Sequence, residues 1–159
     1  MNGTKIGDDG LRMILNHPIA QGLREFEFSE LGLTAAGVKS LVESKYHPPK
    51  PHLHLSFNPI GDEGVKELVR WRELGRITDL SLDFAEIGDA GVATLAKCRD
   101  VRAVKTLRLH GNQIGVKGVE ALIASKRFTN LTYLSIDLDD IPNGAVKRLR
   151  AKYKKASIG

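Results

Sequence analysis

The chain has a single cysteine, Cys98, in 159 residues, so no intrachain disulfide can form. That excludes a small secreted scaffold held by disulfides and fits a reducing compartment, so a cytoplasmic location is expected. No apolar run approaches the ~20 residues that a membrane-spanning helix needs. The opening Met-Asn-Gly-Thr-Lys-Ile-Gly-Asp-Asp holds no apolar stretch of the signal-peptide kind. Six prolines and sixteen glycines are too few for a collagen-like or low-complexity chain. What is present is 42% hydrophobic and 27% charged, the composition of one domain that buries a sizeable core in water.

The formal net charge is +5 and is unevenly spread. Residues 1–79 carry ten Lys/Arg against eleven Asp/Glu, and residues 80–159 carry fourteen against eight. Lys147, Arg148, Arg150, Lys152, Lys154 and Lys155 form one basic cluster. Such a cluster attracts phosphate or an acidic surface. It also suits the negative end of a helix dipole, and that solvated-helix reading is preferred. Tyr153 is the one aromatic among these cations, which argues against single-strand binding by base stacking.

A repeat organises the chain. The apolar pair Leu53/Leu55 recurs as Phe26/Phe28, Leu80/Leu82, Leu107/Leu109 and Leu134/Ile136, a constant step of 27 residues. Leu33, Ile60, Ile87, Ile114 and Ile141 follow at fixed register, and Ile6 begins the series. Gly10, Gly37, Gly64, Gly91, Gly118 and Ala145 come next, each followed by Leu or Val. The first half of each unit alternates, as in His52-Leu53-His54-Leu55-Ser56, which predicts a half-buried strand. The second half spaces apolar residues by three and four, as in Val65, Leu68 and Val69, which predicts an amphipathic helix. Thr34, Gly61, Gly88 and Gly115 fall at the expected N-cap, with Asp62 and Asp89 in the first turn. The recurring helix glycine is expected to let each helix lie close to its own strand.

Parallel strands ~4.8 Å apart under helices ~10 Å wide must curve, with strands inside and helices outside. The expected architecture is one α/β solenoid over residues 1–159 with about six units. Residues 1–22 form a partial first unit or cap, 23–142 the repeats, and 143–159 a basic capping helix. The first unit lacks its strand. A cap or a truncated parent array is preferred there over an open end that meets a second chain, so a monomer is favoured.

Val104-Lys-Thr-Leu107-Arg-Leu109-His-Gly-Asn112-Gln-Ile114 resembles the leucine-rich repeat consensus, and Leu53-His-Leu55-Ser-Phe-Asn58-Pro-Ile60 is similar to it. The Gly-Val-x-x-Leu helices resemble the ribonuclease-inhibitor-like subclass. The resemblance covers residues 6–149. It implies a right-handed α/β horseshoe and a protein-interaction scaffold; some members of the subclass act as sensors, inhibitors or activators of GTPases. The family asparagine stands only at Asn58 and Asn112, with Leu31, Ala85 and Asp139 replacing it elsewhere. Bound water or shifted backbone contacts are expected where it is missing.

Strand residues that alternate with the core leucines point into the hollow. Glu25, Glu27, His52, His54, Asp79, Asp83, Arg108, His110, Tyr133 and Asp137 are the candidate partner-binding residues. Tyr133 is the expected anchor. Phe57 and Phe84, at the strand exits, are expected to be buried as lateral packing of the turns. His54, Asp83 and His110 lie on successive strands, but separated columns and the lack of any helical His-x-x-x-His spacing argue against a metal. Imidazoles that titrate near neutrality suit a pH-sensitive interface better. Ser29, Ser56, Ser81 and Ser135 have no strained nucleophile turn, so no catalysis and no cofactor are expected. The expected function is a non-catalytic scaffold that binds an unidentified protein. Its alternatives are nucleic-acid or anionic-surface binding through the basic helix, or the recognition segment of a larger enzyme.

Overall fold

A computed structural model describes residues 5–18, 20, 27–45 and 51–159. The helices are α1 (Gly7–Asn16), α2 (Ala35–Glu43), α3 (Gly61–Leu68), α4 (Asp89–Lys97), α5 (Val116–Ala124) and α6 (Asn143–Lys152). The strands are β1 (His52–His54), β2 (Asp79–Ser81), β3 (Thr106–Arg108), β4 (Tyr133–Ser135) and β5 (Ser157–Ile158). All five strands pair in parallel in chain order. Leu53, Leu80, Leu107 and Leu134 are one another's partners at the 27-residue step. Each is fully buried, as the alternation requires. Val65 and Leu68, Val92 and Leu95, and Val119 and Leu122 meet them from the helix layer. Each buried leucine is worth ~1.5–3 kcal/mol, and adjacent units supply the burial. Phe26 lies outside the described residues, but a bridge from Glu27 to His54 and a bond from Phe28 N to His54 O (2.9 Å) continue the ladder one unit earlier.

The asparagines stitch one unit to the unit before. Asn58 is fully buried. Its Oδ1 accepts from the backbone N–H of Leu31 and Leu33, both at 3.0 Å, and its Nδ2 donates to Phe28 O at 2.6 Å. Asn112 repeats this pattern on Ala85, Ile87 and Leu82. Where Leu31 and Ala85 replace it, the backbone shifts as expected. Gly7 N donates to Leu31 O (2.9 Å) and Gly61 N to Ala85 O (3.0 Å). Both glycines take φ near +60°, which a side chain would strain. Thr34, Gly88 and Gly115 are N-caps as expected, whereas Gly61 is the first residue of α3 and Ile60 precedes it.

First-turn aspartates do more than favour the dipole. Asp8 accepts from Thr34 N (2.8 Å), Asp62 from Gly88 N (2.8 Å), and Asp89 from Gly115 N and Gly118 N (2.8 and 2.7 Å). Each carboxylate caps the next unit's helix across 26 residues of chain. This adds a second reason for the helix glycines. A Cβ at Gly37, Gly91 or Gly118 would stand 2.4–2.7 Å from the previous unit's aspartate oxygen, and one at Gly10 or Gly64 would stand 3.0 or 2.6 Å from the isoleucine of its own turn. Where Val116 replaces the aspartate, Pro142 has no N–H to cap and Ala145 replaces the glycine.

The C-terminal segment departs from a continuous helix. α6 ends at Lys152, and the chain turns back to add β5 beside β4. Tyr153 makes that turn: it is 6% exposed, and its hydroxyl donates to Leu122 O at 2.7 Å. Burial pushes its phenol up to about 12. It therefore presents no ring for stacking among the surrounding cations.

Candidate functional site

The open face of the sheet carries the residues that alternate with the buried leucines. Glu25 lies outside the described residues. Five of the other candidates touch in a zigzag across five consecutive units. The Glu27 carboxylate pairs with His54 Nδ1. His54 Nε2, buried and without a hydrogen bond, sits 3.8 Å from Asp79 Oδ1. Asp79 accepts from Arg108 at 2.5 Å, and the Arg108 guanidinium stands 5.8 Å from the Tyr133 ring centroid. Each side chain is held by one on the next rung, so little rotamer freedom remains to be lost on binding.

A second group lies toward the strand exits. Asp83 Oδ1 accepts from His110 N at 2.7 Å, while Asp137 accepts from Gly111 N at 2.7 Å and its other oxygen lies 2.5 Å from His110 Nδ1. Burial raises the Asp83 carboxyl above its ordinary value, opposed by the His110 amide and by Arg108. His52 is exposed at the rim, its ring 6.4 Å from that of His54. The Ser56 and Ser81 hydroxyls bond each other at 2.7 Å, and Ser56 Oγ also accepts from Asp83 N. Among the described residues no group of three His, Cys, Asp or Glu side chains gathers closely enough to hold a metal ion.

Phe57 and Phe84 overturn the expectation of burial. Their rings stack at 4.7 Å, 9° from parallel, yet they remain 48% and 44% exposed. Phe84 also meets His110 edge-on at 5.3 Å. Both phenylalanines hold a left-handed backbone, φ +58° and +51°, where a bulky residue is an outlier. Gly111 occupies the same register one unit on, and a Cβ there would come within 2.4 Å of the Phe84 ring. Neighbouring rings and that missing Cβ decide their exposure, so alternation along one strand could not reveal it.

The six basic candidates lie along α6 and in the turn that follows it, with Lys152 common to both groups. Lys147, Arg148, Arg150 and Lys152 are exposed along α6, and Arg148 pairs with Glu120 of α5. Lys152, Lys154 and Lys155 instead line a hollow with Lys126, which counting charge by halves of the chain overlooks. Cys98 is half-buried, and burial pushes its thiol up, as suits a packing residue.

No helix among the described residues is long and apolar enough to cross a membrane. Against known families, residues 52–69, 77–96 and 103–123 match the one described as Leucine Rich repeat. The three segments are the units that open at β1, β2 and β3. No curated protein sequence matches the chain. Leucine-rich repeats generally mediate protein–protein interaction and generally act as non-catalytic scaffolds. Three matched units in register on one parallel sheet place this chain in that family: it is a leucine-rich repeat protein.

Proposed function

We propose that the chain is a non-catalytic scaffold whose open sheet face docks a protein segment that carries both basic and apolar side chains. The observation that carries the reading is the exposed Phe57–Phe84 stack on a left-handed backbone. The left-handed turn recurs at this register in Glu30, Phe57, Phe84 and Gly111, so the repeat sets the backbone and the exposed rings are what distinguishes these two units. The charge around it suits a basic partner. Glu27, Asp79, Asp83 and Asp137 face Arg108 as the one Lys or Arg among the candidates. Tyr133, 40% exposed beside Arg108, supplies a second anchor.

Affinity capture with the purified chain as bait tests this, comparing wild type with Phe57→Ser/Phe84→Ser and with Arg108→Glu/Asp83→Lys. Prey that bind wild type and are lost from both variants support the reading. Prey retained equally by all three baits would remove the open face as the docking surface.

A further inference from the structure

The two lateral edges of the solenoid carry opposite charge. The segments that leave the strands, residues 56–62, 83–89, 110–116 and 137–143, hold seven Asp/Glu and no Lys or Arg. The segments that leave the helices, residues 70–78, 97–105, 124–132 and 151–159, hold twelve Lys/Arg and two Asp/Glu. Each set recurs at the 27-residue step, so each gathers along one edge of the stack. The split is therefore across the molecule, and not only between the halves of the chain.

On the basic edge the cations line a chain of contiguous hollows. Arg99, Arg102 and Arg127 line the first, with Asp100 as its one carboxylate. Lys97, Lys126 and Arg127 line the second, and Lys126, Lys152, Lys154 and Lys155 the third. Arg127 and Lys126 are the shared walls. Among the described residues none of these eight cations has an ion pair, whereas Arg70 and Arg76 earlier on the edge are paired with Glu67 and Glu73. Helix dipoles do not account for them: a helix end carries about half a negative charge. Arg99 and Arg127 also lie beyond the helix ends, and Arg102 lies in a short 3₁₀ helix (Asp100–Ala103) between α4 and β3.

We propose that this edge binds the phosphate backbone of a nucleic-acid duplex without reading its sequence. Guanidinium forks and ammonium groups in a row match a linear polyanion. The cations of three consecutive units, two steps of ~8–10 Å, span about 16–20 Å, roughly half of one ~34 Å turn of a duplex. A membrane fits less well, because the large exposed apolar residues, Met13, Phe57, Phe84, Val116 and Tyr133, all lie off this edge. Single strands fit less well too. The aromatic residues Trp71, Phe128 and Tyr153 on this side are buried, so no base has a ring to stack on. The open face, with its four carboxylates, repels phosphate, so a duplex on the edge leaves that face free. The proposal stands independently of the open-face reading.

Fluorescence anisotropy tests it with a labelled duplex two helical turns long, prepared as DNA and as RNA, across a salt series. Wild type is expected to bind either duplex with a log–log salt slope of about −0.9 per phosphate contacted. Arg99→Gln/Arg102→Gln/Arg127→Gln is expected to weaken binding at least about tenfold at low salt and to flatten the slope by roughly 2–3. Lys126→Gln/Lys154→Gln/Lys155→Gln is the second variant and is expected to do the same, while Phe57→Ser/Phe84→Ser leaves duplex binding unchanged. Circular dichroism confirms that each variant is folded. The proposal is overturned by no duplex binding at low salt, by binding confined to single strands or to phosphatidylserine vesicles, or by both edge variants binding as wild type does.

Discussion

The strand-exit edge and the helix-exit edge are built by the same repeat and use polar residues in opposite ways. On the strand-exit edge the turn asparagines and first-turn aspartates are engaged inside the molecule. Asn58 and Asn112 bind the previous unit's backbone, and Asp8, Asp62 and Asp89 cap the next unit's helix. On the helix-exit edge the cations from Lys97 to Lys155 line hollows without ion pairs among the described residues. A polar group satisfied by a neighbouring unit contributes cohesion. A charge with no internal partner contributes only to the field outside. Substitutions should therefore cost stability on the first edge and binding on the second.

The largest stability effect is expected at Asn58. Asn58→Ala strands the buried N–H groups of Leu31 and Leu33 and the carbonyls of Phe28 and Leu55, a loss on the order of 3 kcal/mol in urea denaturation. Asn112→Ala should cost less, because its site is only partly buried. Equal costs would show that burial does not set the value of these stitches.

Asp89→Ala removes the acceptor for two backbone N–H groups of α5 and should cost about 1–2 kcal/mol. Gly118→Ala, whose Cβ would meet that same carboxylate at 2.7 Å, should cost less in the Asp89→Ala background than alone. A double-mutant cycle without such coupling would break the link between glycine and aspartate.

Tyr153→Phe frees Leu122 O and should cost ~1 kcal/mol near neutral pH. The fold holds this phenol neutral up to about 12, whereas an unfolded tyrosine ionises near 10. Its contribution is present below pH ~10 and is lost as pH rises toward 12, so the variant should lack that share of the alkaline loss.

At Asp83 the sign is the same, but the window lies at acid pH. Its carboxyl is raised in the fold, so it favours the folded state only at acid pH, and that benefit disappears as pH rises through its titration range. Asp83→Asn should therefore stabilise slightly at neutral pH, by under about 0.5 kcal/mol once solvent screening is counted.

The smallest stability effect belongs to the basic edge. Arg99→Gln/Arg102→Gln/Arg127→Gln should shift stability by no more than about 0.5 kcal/mol. A loss as large as that of Asp89→Ala would assign these cations a structural role and dissolve the contrast between the edges.

The 27-residue step by itself determined the units, the partners Leu53, Leu80, Leu107 and Leu134, and the parallel order of β1 to β4. A strand with one apolar face has a single register that buries it, so one period suffices. The outward residues were likewise readable from alternation. Which of them touch was decided only in three dimensions. The zigzag from Glu27 to Tyr133, the aspartates that reach the next helix and the Phe57–Phe84 stack each join groups about 25–30 residues apart. Their contacts depend on how one unit is set against the next, and the spacing within a unit carries no information about that. The segregation of charge is the intermediate case: its residues are plain in the sequence, but stacking alone turns a periodic scatter into an edge.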